Sequence, residues 1–320
     1  MKTISDKVQN VKPVKFIAGS LVVLAIIMWA SYLYYDNESL TLNEINTKQL
    51  EGQFINLTNG RTYYELSGPE DGEVVVLVHG FSIPSYIWEP TKRSLVNAGY
   101  QVLAFDLFGR GYSDRPASDY GMELYVQQLA DLLISLNFRA PVNLVGMSMG
   151  GAVVTHFTNR YPKKVNKISL LAPLIETPSR KVLTLLKAPL LGDYLAKVMV
   201  VPMLDNGLDR VVYDPLVFPD WHLKFTEQTL YEGFARAILK TAHYLDGKTF
   251  KSEYEELGQR NIPMQLFWGR QDKTIPYTDS AKVLSALGQI EFIALDKTGH
   301  LPHYEHPGVV NARLVAFLNK

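Results

Sequence analysis

The strongest constraint on this chain is an alternation. Six short runs rich in β-branched residues, Val74–Val78, Val102–Phe105, Val142–Val145, Ile168–Leu171, Met264–Trp268 and Ile290–Leu295, are mostly separated by helical patterns such as Met122–Leu136 and Ala152–Tyr161. Strands that read apolar throughout are buried on both faces, which predicts a parallel sheet covered by helices on either side. Before them, Phe54–Leu57 and Arg61–Leu66 flank Asn59-Gly60. Asn-Gly between two strand-like runs is the strongest local signal for a tight hairpin.

Composition supports a folded domain and excludes several functions. Of 320 residues, 47% are hydrophobic and 20% charged, enough apolar material for a core. Acidic and basic residues balance and the pI is near 7.1, so the chain offers no basic footprint for nucleic acid. The absence of cysteine removes disulfides, thiolate catalysis, Cys-ligated metals and lipoprotein attachment together.

Residues 1–15 carry Lys2, Lys7, Lys12 and Lys15, and residues 16–35 form an uncharged apolar run, Phe16 to Tyr35. As a helix this run spans about 30 Å of hydrocarbon. Trp29, Tyr32, Tyr34 and Tyr35 gather at its far end, followed by Asp36, Glu38 and Glu44. The lysines predict a cytoplasmic N-terminus and a single-pass anchor that leaves the rest of the chain on the far side, periplasmic or otherwise extracytoplasmic. A cleaved signal peptide competes, but it usually has a shorter apolar core, and here Met28 stands where a small residue belongs two positions before Ala30. Asn37 and Asn56 sit in glycosylation triplets that matter only in a glycosylating host. A polar linker, residues 36–52, leads to the globular part.

In a parallel sheet, ligands bind beyond the carboxyl ends of the strands. The residues found there are His79-Gly80-Phe81-Ser82, then Asp106 to Ser113, then Gly146-Met147-Ser148-Met149-Gly150, then Gly269-Arg270-Gln271-Asp272, and last Asp296, Gly299 and His300. Ser148 falls between a strand and a helix, where Gly146 and Gly150 permit a tight, strained turn. Serine, acid and histidine thus occur in that order, each just past a strand. From Phe54 to Lys320 this pattern resembles the α/β-hydrolase-fold serine hydrolases.

The resemblance implies an α/β fold with a mostly parallel central sheet flanked by helices, a core of residues 53–173 and 262–320, and a helical cap at 174–261. It makes Ser148 the nucleophile, His300 the base and Asp272 the acid. His303 and His306 share the loop with His300, but only His300 follows the glycine at the family's position; Asp296 and Glu176 are the rival acids. The backbone N–H groups of Phe81 and Met149 become the donors to a tetrahedral oxyanion, Met149 at a helix N-terminus. His79 reads as a loop brace. His156, His222 and His243 have no assigned chemistry. Gly109-Arg110-Gly111 lacks the third glycine of a dinucleotide loop, Asp114 standing there, and reads as a scaffold turn.

The cap region, with Val182–Leu186, Leu190-Leu191, Tyr194-Leu195, Val198–Met203 and Phe218–Trp221, reads as short helices over an apolar acyl pocket to which Trp88 and Met147 contribute. A serine nucleophile argues against the epoxide hydrolase and dehalogenase branches, which use aspartate. No metal or cofactor is required. The expected activity is hydrolysis of carboxylic esters of apolar acyl chains, in the manner of a carboxylesterase or monoacylglycerol lipase, with a lipid or small-molecule ester as partner. The alternatives are carbon–carbon hydrolysis of ring-cleavage products, cofactor-free perhydrolysis, and a non-catalytic ligand sensor. Ring-cleavage substrates carry a carboxylate, which would need a cation facing Ser148; Arg180, Lys181, Lys187, Lys197 and Arg210 are the candidates in the cap. Oligomeric state is left open.

Overall fold

The computed structural model describes residues 4–42, 50, 52–180, 183, 186, 191–218 and 220–320. Its centre is an eight-stranded sheet in the order β1-β2-β4-β3-β5-β6-β7-β8. The hairpin predicted around Asn59-Gly60 forms β1 (Gln53–Leu57) and β2 (Gly60–Ser67), which pair antiparallel, and β2 pairs antiparallel with β4. Gly60 takes φ 148°, a turn conformation that glycine permits.

The six apolar runs become β3 (Val74–Val78), β4 (Gln101–Phe105), β5 (Val142–Met147), β6 (Val165–Leu171), β7 (Met264–Gly269) and β8 (Glu291–Leu295), all parallel to one another. Val75 to Val78 have no exposed surface, because helices cover both faces of the sheet. Alternate strand residues therefore enter two separate cores. Val76, Val78 and Leu144 pack with α3 (Met122–Ser135) and α4 (Met149–Arg160), whereas Val75, Leu77 and Val145 pack with α2 (Glu89–Asn97) and the C-terminal helix. Each such buried side chain contributes about 1.5–3 kcal/mol of transfer free energy.

Between β6 and β7 the chain forms α5 (Leu191–Leu195), a π turn at Ala196–Val200, α6 (Val201–Gly207), α7 (Trp221–Thr229), α8 (Phe234–Leu245) and α9 (Lys251–Gly258). Most of the run Val182–Leu186 lies outside the described residues, although Leu186 is buried against Leu239 and Ala196. The last helix of the stretch expected as cap packs instead on the sheet: Tyr254 and Leu257 of α9 enter the same core as β5 and β6. After β7 come α10 (Asp279–Leu287), α11 (Pro302–Glu305) and α12 (Pro307–Leu318).

At the other end, α1 (Ile4–Tyr35) contains Lys15–Tyr35, the one helix among the described residues long and apolar enough to cross a membrane, with a mean hydropathy of 2.2 and its surface unburied. Its end is joined to the helical stretch between β6 and β7. Ser31 Oγ lies 2.8 Å from Tyr194 OH, Lys197 reaches Asp36 at 2.7 Å and stands over the Tyr32 ring, and Glu38 receives the Gly233 and Ala235 N–H groups at 3.1 and 2.7 Å. Glu38 thus caps the N-terminus of α8, where a carboxylate complements the unpaired amides and the helix dipole.

Candidate active site

Ser148 sits between β5 and α4 with φ 55° and ψ −124°, a backbone conformation outside the ordinary wells. Three main-chain bonds hold it there: its N–H donates to Leu171 O at 3.0 Å, and its carbonyl accepts from Gly151 and Leu174 at 2.9 Å each. Glycine is needed on both sides for space. A Cβ on Gly150 would stand 2.2 Å from Val78 O, and one on Gly146 would stand 2.7 Å from Gly150 O. Gly80 also lies against the elbow, its missing Cβ 3.0 Å from Ser148 Cβ and 3.4 Å from Ser148 Oγ.

Of the predicted partners, the structure joins His300 and Asp272. His300 Nδ1 lies 2.7 Å from Asp272 Oδ2, and both side chains are almost wholly buried. The other carboxylate oxygen, Oδ1, accepts from the Thr274 and Ile275 N–H groups at 2.8 and 2.9 Å, which fixes the acid before it meets the ring. The rival acids are elsewhere. Asp296 is exposed and paired with Arg270 at 3.0 Å, and Glu176 is paired with Lys282 at 2.7 Å. His306 is half-buried, with Nε2 3.0 Å from Lys297 O.

His303 is fully buried with its ring packed against Trp88 at a centroid distance of 4.2 Å and a tilt of 32°, and burial, reinforced by the nearby His300, pulls its pKa to about 3. Trp88 and Met147, expected to line a substrate pocket, are at 0% and 2% exposure and offer no surface to a ligand in this arrangement. His303 packs against the Trp88 ring, and the Met147 sulfur lies against Gly80.

In the loop after β3, His79 is fully buried and neutral: burial, with help from the Arg110 charge, pulls its pKa to about 3. Its Nε2 accepts the Leu107 N–H at 2.9 Å, so the proton is on Nδ1 and is donated to Gly80 O at 2.9 Å. The Gly80 carbonyl and the Phe81 N–H share one planar peptide, so bracing one end fixes the other. Met149 N–H begins α4, where the first amides have no partner within the helix.

Sequence reasoning passed over two groups here. Asp106 is buried, which raises its carboxyl pKa, and it ties the loops after β3 and β4 together by accepting from Ser85 and Tyr112 N–H at 2.9 Å each. Arg110, read as part of an ordinary turn, has no exposed surface at all. A lone arginine between two glycines carries no periodic signal that would betray burial.

A serine on a strained strand-to-helix elbow, with a buried His–Asp pair supplied by later loops of one parallel sheet, defines the hydrolase type of α/β protein. The comparison with known families agrees: the alpha/beta hydrolase family pattern matches residues 75–313, and the chain belongs to that family, whose members are hydrolases. Among curated relatives, an AB hydrolase superfamily protein, YfhM of Bacillus subtilis, is 28% identical over 83% of this chain and 97% of its own. A 2-hydroxy-6-oxononadienedioate/2-hydroxy-6-oxononatrienedioate hydrolase of Paraburkholderia phymatum is 25% identical over 86% and 98%. Among solved structures, a bacterial membrane phospholipase A superposes with a TM-score of 0.69 at 23% identity, covering 95% of this chain and 98% of its own. That coverage exceeds what the globular part from Gln53 onward can supply, so the likeness extends into the N-terminal region.

Proposed function

We propose that this protein is a membrane-tethered serine hydrolase that cleaves carboxylic esters of apolar acyl chains through an acyl-enzyme on Ser148. The observations that carry the reading are the strained Ser148 elbow after β5 and the buried His300–Asp272 pair from the loops after β7 and β8, all beyond the carboxyl ends of parallel strands. In this reading His300 takes the Ser148 proton as Oγ attacks the ester carbonyl, and Asp272 holds the ring tautomer and stabilises the imidazolium. The Phe81 and Met149 N–H groups receive the negative charge on the carbonyl oxygen. His300 then gives its proton to the leaving alcohol. In the second half it takes a proton from water as the water oxygen attacks the acyl carbonyl, and it returns that proton to Ser148 Oγ as the acyl–Oγ bond breaks and the acid leaves.

An N-terminal helix of membrane length and the likeness to a membrane phospholipase A support a lipid ester as substrate. The lysines before that helix support a cytoplasmic N-terminus with the enzyme domain across the membrane. Carbon–carbon hydrolysis is the second reading, favoured by the Paraburkholderia relative. The described cap cations do not favour it: Arg180 and Arg210 are exposed, and Lys197 is spent on Asp36 and Glu38. Lys181 and Lys187 lie outside the described residues.

The test is labelling with a fluorophosphonate probe, followed by turnover of p-nitrophenyl and monoacylglycerol esters of graded chain length with and without micelles. Labelling is expected in the native enzyme and lost in Ser148→Ala. Labelling that survives that change overturns the nucleophile, and turnover of vinylogous diketones in preference to esters favours the second reading.

A further inference from the structure

Arg110 is a cation placed where cations are rarely found. Its side chain has no exposed surface, and among the described residues no carboxylate lies within ion-pair distance of it. Burying an unpaired charge is costly, and such groups persist where their hydrogen bonds impose a geometry. The guanidinium donates to four groups from four parts of the fold. Nε donates to Phe81 O at 2.7 Å in the loop after β3; Nη1 donates to Phe108 O at 3.2 Å and Tyr125 OH at 2.7 Å; and Nη2 donates to Thr241 Oγ1 at 2.9 Å in cap helix α8. Its plane also stands over the Phe81 ring at 5.4 Å and the Tyr125 ring at 5.8 Å.

A second bridge runs parallel to the first. Gln228 of cap helix α7 donates to Ser82 O at 2.8 Å and accepts from Gly111 N–H at 3.0 Å. The carbonyls held by these two bridges, Phe81 O by Arg110 and Ser82 O by Gln228, directly follow the peptide that His79 braces through Gly80 O. The short loop bearing the Phe81 N–H is therefore clamped on consecutive residues, by the neutral His79 imidazole after β3, by Arg110 from the loop after β4, and by Gln228 from the cap. A hydrogen-bond donor displaced by about 1 Å from its target can cost about 100-fold in rate.

We propose that Arg110 is a positioning residue of the oxyanion site: it fixes the Phe81 donor by holding the next carbonyl, and it ties that geometry to the cap through Thr241. The proposal rests on the reading of Ser148 as an ester-hydrolysing nucleophile. It makes the placement of the cap a determinant of transition-state binding, in addition to any part the cap has in admitting substrate.

The test compares the native full-length enzyme in detergent with Arg110→Met, Arg110→Lys and Thr241→Val. Measured for each are kcat and KM on a p-nitrophenyl ester, the affinity for a trifluoromethyl ketone that mimics the tetrahedral adduct, and thermal stability. Rates are expressed per Ser148 titrated by fluorophosphonate, so misfolded protein does not count. Arg110→Met is expected to lower kcat at least about tenfold with KM changed less than about threefold, and to weaken the ketone in proportion to kcat/KM. Arg110→Lys keeps the charge without the fork and stays impaired. Should Arg110→Met fail to fold, Thr241→Val removes the cap tie alone and shows the same split on a smaller scale. Variants that lose thermal stability yet keep native kcat and ketone affinity per titrated site overturn the proposal, as does full restoration by Arg110→Lys. A native enzyme that neither labels nor turns over esters overturns the hydrolase reading and this proposal with it, an outcome distinct from the first two.

Discussion

His300 Nδ1 lies 2.7 Å from Asp272 Oδ2, although Asp296 stands only four residues from His300 in sequence and is turned out to solvent against Arg270. Asp272→Asn keeps an oxygen for the Thr274 and Ile275 amides but presents an NH2 to the ring, which forces the wrong tautomer. We expect ester kcat to fall by about 10⁴-fold with little change in thermal stability. Asp296→Asn removes only an exposed ion pair, and its kcat stays within about twofold of native. A larger loss in Asp296→Asn than in Asp272→Asn, measured side by side, would reverse the assignment of the acid.

Two buried neutral histidines give the fold a pH dependence. His79 and His303 have folded pKa values pulled from 6.5 to about 3, so between those limits the unfolded chain binds protons that the native one excludes. Stability therefore rises with pH across that window and falls on acidification, with a slope of up to about 1.4 kcal/mol per pH unit for each ring. His303→Phe preserves a ring on Trp88 and is expected to flatten the decline in denaturation midpoint between pH 6 and pH 4. An unchanged slope in that variant contradicts the account.

The elbow leaves no room for a methyl group. In Gly150→Ala the new Cβ would lie 2.2 Å from Val78 O and 2.5 Å from His79 O, backbone atoms that cannot swing aside. Chemical denaturation should show a loss of at least about 1–3 kcal/mol. Gly308→Ala, in α12 with nothing within 4 Å, is the comparison: alanine is the better helix former, so stability holds or rises. Equal effects from the two changes would contradict the packing described for the elbow.

Glu38 connects the end of the membrane-length helix to the cap by accepting the first amides of α8. Glu38→Ala removes that cap and the more distant of the two carboxylates around Lys197, and is expected to lower stability by about 1 kcal/mol. Hydrogen exchange in detergent locates the effect: faster exchange should be confined to the first turn of α8 and the segment around Lys197. Protection lost evenly across the sheet would show that Glu38 does something other than cap this helix.

Much of the fold is written locally in the chain. The β-branched runs, the Asn59-Gly60 hairpin and the glycines around Ser148 each act through residues a few positions apart, so periodicity and backbone freedom declare them without a structure. The same holds for the membrane-length helix, whose signal is a count of apolar residues. What the tertiary structure decided depends on groups far apart in sequence. It seats Asp272 rather than Asp296 on His300, buries Trp88 against His303, packs Lys251–Gly258 on the sheet and joins Glu38 to a helix nearly two hundred residues later. Arg110 shows the limit most clearly: its charge and its flanking glycines mark an exposed turn, and only the convergence of Phe81, Tyr125 and Thr241 around it makes burial affordable. Local propensity is set by a residue and its neighbours, whereas the cost of desolvating a side chain is set by whatever the finished fold places beside it.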